Sequence, residues 1–304
     1  VGSLGQHHAR IYSQNPSAEL VGVYDTDPAR AEQIAKASST TAYNDLGRLA
    51  AEVEAVSVVV PTDRHFEVFN ALAGKGINML MEKPIASDIT QAQAMVKTAQ
   101  EKGIILQVGH VERFNPVMKF LEQNLSRPRF IEAIRLSSFP PPRPGSSPRG
   151  TEVSVVLDLM IHDLDIILYL VRSEIKDLHA VGVPVLSKTE DIANARIIFE
   201  NGCVANITAS RISQEKMRKI RVFQEDTYVS LDYMNQAGQL FKKTAKGIEK
   251  MDVPITKGEP LAEEINSFLE CVKHHRNPVV TGVHAADALE LAVDICNRIR
   301  DNPS

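Results

Sequence analysis

Short apolar, β-branched runs alternate with helical patterns through the first third of the chain, and that alternation leaves few folds open. The runs lie at Leu20–Asp25, Ala55–Pro61, Ile77–Met81 and Ile104–Gly109. Between them, helical patterns occupy Pro28–Ala37, Asp45–Glu52, Arg64–Ala73 and Asp88–Lys102. Pro28 suits a first helical turn, and Asp88 suits an N-cap. Strands that are apolar on both faces and separated by helices pack as a doubly wound parallel sheet.

The rhythm then changes. Phe130–Ser138, His179–Val185, Ile192–Glu200, Cys203–Ser210, Lys219–Gln224 and Thr227–Tyr233 read as strands with no helix between most of them. Asn201-Gly202 joins two of these runs and is a strong hairpin signal. The expectation is an open, mostly antiparallel sheet, with helices at Pro260–His275 and His284–Arg300. The predicted fold class is therefore α/β plus α+β, with domains at 1–115 and 116–304. A chain of 304 residues suits two such domains.

Charge narrows the partners. A net charge of −4 argues against nucleic acid or a membrane surface held by bulk charge. No apolar run approaches the ~20 residues that span a bilayer. Cys203, Cys271 and Cys296 form no Cys-x-x-Cys pair. That usage fits a reducing, cytoplasmic setting and offers no disulfide or zinc framework.

The chain opens on Val1-Gly2-Ser3-Leu4-Gly5. Gly2 and Gly5 match the last two glycines of a G-x-G-x-x-G turn, in which backbone N–H groups and a helix N-terminus meet a pyrophosphate. The first glycine and its strand are absent, so we expect further residues before Val1 in the natural protein. Asp25 ends the next strand, where an acid binds the adenosine ribose hydroxyls. The alternative is a plain glycine turn with Asp25 facing solvent. An acid there repels a 2′-phosphate, which favours NAD over NADP, although Arg30 lies close by in sequence.

Two further stretches carry charge in apolar surroundings. "NMLMEKPI", Asn78–Ile85, ends an apolar run in Glu82-Lys83-Pro84. Pro84 restricts Lys83 to extended backbone. "VVLDLMIHDLDIILYLV", Val155–Val171, is apolar around most of its circumference, as a buried helix is. Asp158, His162, Asp165 and Tyr169 nevertheless share one face at about 100° per residue, whereas Asp163 points elsewhere. A buried helix does not carry unpaired charge, so this face meets partners, a cavity or water. Three readings stay open for His162: a satisfied core histidine, a metal ligand with Asp158, or an acid–base group oriented by Asp158. No second histidine cluster completes a metal site, so no metal is expected.

Gly2-x-x-Gly5-x-x-His8, Glu82-Lys83-Pro84 and Asp158-x-x-x-His162 occur in order, and with them essentially the whole chain resembles the glucose–fructose oxidoreductase/inositol dehydrogenase (Gfo/Idh/MocA) family. The resemblance implies a Rossmann domain, a second domain with an open sheet, and a nicotinamide cofactor whose ring lies in the cleft between them. It assigns Lys83, Asp158 and His162 to catalysis. It sets Gly2, Ser3, Leu4, Gly5, Asp25, Thr62, His65, Glu82 and Lys83 around the cofactor. It also implies a homodimer or homotetramer.

"GHVERFNPV", Gly109–Val117, follows the last strand of the first domain. Arg113 and Asn115 there are candidates for substrate contact, against the alternative of a linker whose arginine pairs with a local acid. Arg143 and Arg149, in the Pro-rich segment Phe139–Gly150, match phosphate geometry or are ordinary solvated residues. Together with the Asp158 helix, this stretch resembles the branch acting on UDP-amino sugars, the UDP-N-acetylglucosamine 3-dehydrogenases. The expected substrate is thus a sugar or nucleotide sugar oxidised at a secondary hydroxyl. Inositol or polyol oxidation and UDP-N-acetylglucosaminuronate oxidation are the alternatives. A non-catalytic dinucleotide-binding regulator is the reading from another class.

Overall fold

A computed structural model describes residues 1–141 and 150–301. The chain divides into two compact units, each assembled from separated segments. The first is Val1–Val111 with Glu259–Ala286, and the second is Glu112–Gly258 with Asp287–Ser304.

The first unit alternates as expected. Helix α1 (Gly5–Gln14) precedes β1 (Gly22–Tyr24), α2 (Pro28–Ala37), β2 (Thr41–Tyr43), α3 (Leu46–Ala50) and β3 (Ala55–Val58). Then come α4 (His65–Ala73), β4 (Asn78–Met81), α5 (Ile89–Lys102) and β5 (Leu106–Val108). Among the described residues the named strands of this unit pair in parallel, with β1 on β2 and β4 between β3 and β5. Local chemistry sets the helix ends. The Asp27 side chain accepts from the N–H of Ala29 and Arg30, with Pro28 in the first turn. Asp88 accepts from Gln91 N–H at 2.9 Å, and Gly103 ends α5 at φ +64°, a conformation glycine adopts freely. Met79, Leu80 and Met81 are all buried, the continuous burial of a central parallel strand. Ile265 and Phe268 of α8 (Pro260–His274) pack on Leu80 and Ile11.

In the second unit, β6 (Phe130–Leu136) is followed by α7 (Ile161–Val171), β7 (Ile175–Val183), β8 (Ile192–Phe199), β9 (Val204–Ser210), β10 (Met217–Gln224) and β11 (Thr227–Asp232). Two strands not foreseen, β12 (Ala237–Thr244) and β13 (Gly247–Asp252), extend the edge, and α6 (Pro116–Asn124) precedes the sheet. Among the described residues the strands form one eight-stranded sheet, ordered β13-β12-β11-β10-β6-β9-β8-β7. Only β6 on β9 is parallel there. The Asn201-Gly202 turn joins β8 to β9 with Gly202 at φ +84°. Alternate side chains of the central strands (Ile131, Ala133, Ile197, Ile207) pack against Leu164 and Ile167 of α7 and Ala292 and Ile295 of α9 (Gly282–Asp301). Among the described residues, no helix is long and apolar enough to cross a membrane.

Candidate active site

In the first unit the candidate residues gather at the carboxyl ends of the parallel strands, where such sheets bind ligands. The glycine turn runs straight into α1: Gln6 N–H donates to Gly2 O at 3.1 Å and His7 N–H to Leu4 O at 2.9 Å. Leu4 stands at the N-cap without a side-chain cap, and the first turn holds no acid. No side chain competes there with an anion, which the N-terminal end of the helix dipole favours. Asp25 follows β1 and accepts from Asp27 N–H at 2.9 Å. An uncapped helix start with an ionised acid one strand away fits the pyrophosphate and ribose of a dinucleotide.

Glu82 and Lys83 follow β4. Burial pushes the Glu82 carboxyl up, but the His8 hydrogen bond and charge and the Lys83 charge bring it below its usual value. Its Oε1 lies 3.3 Å from His8 Nε2, and its Oε2 accepts from Lys83 N–H at 3.3 Å. His8 Nδ1 is 3.1 Å from Ser57 Oγ, which is 2.8 Å from the Tyr12 hydroxyl. The motif Gly2-x-x-Gly5-x-x-His8 thus delivers a buried imidazole to Glu82, a role that spacing alone did not reveal. Lys83 is half-buried, and its bond to Pro84 is cis. Gly109 approaches closely from β5: a Cβ there would stand 3.3 Å from Glu82 Cα.

Thr62 opens a short 3₁₀ turn ahead of α4 and is half-buried. His65 is buried, with Nδ1 3.0 Å from Pro84 O and 3.2 Å from Ile85 O, and Nε2 3.1 Å from Val60 O. Burial lowers its pKa against the opposing effect of these carbonyls. Its ring is spent on the backbone that follows Lys83.

In the second unit, Asp158 lies in a π-helical turn, Val156–Met160, and His162 in the first turn of α7. The expected α-helical spacing therefore holds from Ile161 onward, and Asp158 lies outside it. Single π turns inside helices occur frequently at functional sites. Asp158 and His162 are both half-buried.

The rest of the stripe is committed within the unit. Asp165 accepts from Arg113 Nη1 at 3.5 Å, and the Arg113 guanidinium lies 3.4 Å over the Tyr169 ring. The Tyr169 hydroxyl donates to Glu122 at 2.8 Å. Asp163 accepts two bonds from Arg135, at 2.8 and 3.1 Å, and Arg135 also donates to Glu112 at 2.9 Å. Arg135 shares the inward parity of Ile131 and Ala133 on β6. An inward arginine and an acid in an apolar helix were a legible pair, and the sequence reading did not join them. Asn115 caps α6 by accepting from Val117 N–H at 3.3 Å, and it donates to Glu112 and Tyr233 O. Arg143 and Arg149 lie outside the described residues. Among the described residues, no group of three or more His, Cys, Asp or Glu side chains is placed to hold a metal ion.

Comparison with known proteins accords with this geometry. The Gfo/Idh/MocA model described as an oxidoreductase family with an NAD-binding Rossmann fold matches residues 1–110, and the Gfo/Idh/MocA C-terminal domain model matches 121–229. The UDP-N-acetylglucosamine 3-dehydrogenase of Acidithiobacillus ferrooxidans is 36% identical over 97% of this chain and 94% of its own length. The crystal structure of that protein, GnnA, superposes with a TM-score of 0.92 at 35% identity over 99% of this chain and 96% of the other. The scyllo-inositol 2-dehydrogenase (NAD(+)) of Bacillus subtilis is 26% identical over 99% of this chain and 92% of its own.

Proposed function

Because the chain belongs to the Gfo/Idh/MocA oxidoreductase family, we propose that it is an NAD-dependent dehydrogenase oxidising C3 of UDP-N-acetylglucosamine. The likeness to a UDP-N-acetylglucosamine 3-dehydrogenase over 97% of the chain carries this reading. Cofactor binding falls to the first unit and sugar binding to the second. In the first, Gly2, Ser3, Leu4 and Gly5 present backbone donors to the pyrophosphate, Asp25 takes the ribose hydroxyls, and Glu82 lies by the nicotinamide ribose.

When bound, nicotinamide supplies the acceptor for the hydride that leaves the carbinol carbon. The protein handles the other half of the alcohol. His162 takes the hydroxyl proton, with Asp158 favouring the imidazolium that results. The Lys83 ammonium stabilises the negative charge that builds on the oxygen and holds that atom in place. Lys83 and His162 act on one proton, so pH–rate profiles report the pair rather than either group. The products are the 3-keto sugar nucleotide, NADH and a proton.

The ionised Asp25 supports NAD over NADP by repelling a 2′-phosphate. Three free cysteines support a reducing, cytoplasmic setting. Self-association as a homodimer or homotetramer is supported by an aromatic row on the sheet, where Phe223 stacks on Tyr228 at 4.4 Å and Tyr228 on Phe241 at 4.9 Å. Phe223 is 37% exposed. A non-catalytic regulator has no use for Lys83, Asp158 and His162 together.

The test is absorbance at 340 nm with NAD and, in turn, UDP-N-acetylglucosamine, UDP-N-acetylglucosaminuronate, scyllo-inositol and myo-inositol. Reduction with the first is expected. Turnover of an inositol with none of UDP-N-acetylglucosamine would transfer the assignment to the polyol class.

A further inference from the structure

Arg211 and Asp191 form a buried ion pair that the proposed chemistry does not use. Their side chains are 2% and 0% exposed, and Arg211 Nε lies 2.8 Å from Asp191 Oδ1. Asp191 also accepts from the N–H groups of Val185, Leu186 and Ser187 and from the Ser187 hydroxyl. The rest of the Arg211 guanidinium donates to Gly150 O at 2.6 Å, Val153 O at 2.9 Å, Ser187 Oγ at 2.9 Å and Thr189 Oγ1 at 3.0 Å. Thr189 Oγ1 in turn donates to Val153 O at 2.9 Å, and Val155 N–H donates to Glu190 O at 2.9 Å. One buried pair thus ties the loop before β8 to the segment that leads into the π turn.

A buried ion pair is a weak source of stability, because desolvation offsets most of the attraction. What this one fixes is the surroundings of Asp158. Gly150 sits at φ +82°, and a Cβ built on it would stand 2.5 Å from Asp158 Oδ2 and 3.2 Å from Oδ1. Bare backbone therefore packs against the carboxylate, and Arg211 holds the carbonyl of that same residue. Downstream, Asp158 N–H donates to Ser154 O at 3.1 Å, and Val156 N–H to Ser154 Oγ at 3.2 Å. Both the start of the π turn and the wall beside its carboxylate hang on the pair.

We propose that Arg211 and Asp191 form a latch that positions Asp158 through the backbone of Gly150, and that Gly150 is required there because it has no side chain. Arg211, Asp191, Thr189 and Gly150 are positioning residues. The proposal rests on the reading of Asp158 as part of the catalytic group, so its test carries a separate arm for that reading.

The experiment is single-turnover hydride transfer, followed at 340 nm after rapid mixing of limiting UDP-N-acetylglucosamine with excess enzyme saturated with NAD. If wild type is inert on that sugar, the one it oxidises in the preceding assay takes its place. The rate constant reports the site, and NADH fluorescence titration reports the fraction of folded, cofactor-binding enzyme. Asp158→Asn is expected to slow transfer by about tenfold or more. A wild-type rate constant in Asp158→Asn overturns both the catalytic reading and the latch. Gly150→Ala, which forces a methyl toward the carboxylate, is expected to slow transfer by about tenfold or more, with NAD affinity unchanged. Thr189→Val keeps shape, removes two latch bonds, and is expected to slow transfer by about threefold, which keeps the proposal testable if Gly150→Ala does not fold. If Asp158→Asn is slow while every folded latch variant keeps the wild-type rate constant, even at reduced melting temperature, the latch is overturned and the catalytic reading stands.

Discussion

Replacing Arg135 by Met exposes what the buried charges beside α7 cost. The Arg135, Asp163 and Glu112 side chains are 3%, 2% and 5% exposed. Glu112 keeps a second arginine, Arg218, at 3.4 Å, and Asp163 loses both of its bonds. Breaking a buried pair from one side costs about 3–5 kcal/mol. An independent bound comes from protonation, the escape open to Asp163. Neutralising a carboxyl of ordinary pKa ~3.9 costs about 1.4 kcal/mol per pH unit above that value, hence about 4 kcal/mol at pH 7 and about 2 at pH 5.5.

The sign follows from burial, which already pushes the Asp163 carboxyl above its ordinary value while Arg135 pulls it back. Without Arg135 it rises further. An acid whose folded pKa is raised favours the fold below its unfolded value, and that advantage is lost as pH rises through the folded one. The deficit of Arg135→Met relative to wild type must therefore shrink on acidification from pH 7 to 5.5. Urea unfolding followed by circular dichroism at both pH values measures it. The paired change Arg135→Met with Asp163→Leu should recover most of the loss, since apolar replacement of a buried ion pair is often neutral. A deficit below about 1 kcal/mol, or one equal at both pH values, would refute the reasoning.

Two other perturbations probe the cofactor half and the sheet. Asp25→Ala should weaken NAD binding by about tenfold and narrow the preference over NADP, because Arg30 Nη1 would stand only 3.6 Å from a Cβ built on Gly2; an unchanged ratio of the two affinities by NADH and NADPH fluorescence titration contradicts the assignment. Gly202→Ala should cost about 1 kcal/mol in urea unfolding, because Gly202 stands at φ +84° with open space around it and conformation alone is at stake.

Much of this fold was legible because burial follows periodicity. The runs at Met79–Met81 and Leu106–Val108 are buried throughout, and FIEAIRL of β6 alternates between buried and half-buried residues. The misses share physical causes. Strand β13 is exposed along its whole length and half of β12 is Gln, Lys or Thr, so no clear apolar alternation marks them; they exist because each pairs with its neighbour through a turn. Strand β2 is three residues long. The Asn115-Pro116 pair is a helix-start signal, yet Asn115 drew attention for its place after the last parallel strand. The return of α8 to Leu80 and Ile11 is a long-range packing event that no local pattern encodes.

At the site, residue types were legible and their environments were not. Lys83 stood out because an ammonium ends an apolar run, and Asp158 and His162 because charge lies in an apolar helix. The π turn was hidden because side-chain spacing assumes a regular helix. His8 was visible as part of a glycine motif, but its bond to Glu82 joins residues 74 apart. The Arg113 cation over Tyr169 likewise depends on how two elements pack.

Turnover and cofactor binding measured on the same variants bear on the catalytic assignment itself. Lys83→Ala and His162→Ala should each lower kcat for oxidation of UDP-N-acetylglucosamine by about a hundredfold or more, the scale of a lost general base or charge stabiliser. Their NADH affinities by fluorescence titration should stay within about threefold of wild type, a change of less than 1 kcal/mol. Full activity in both variants would contradict the assignment of this site.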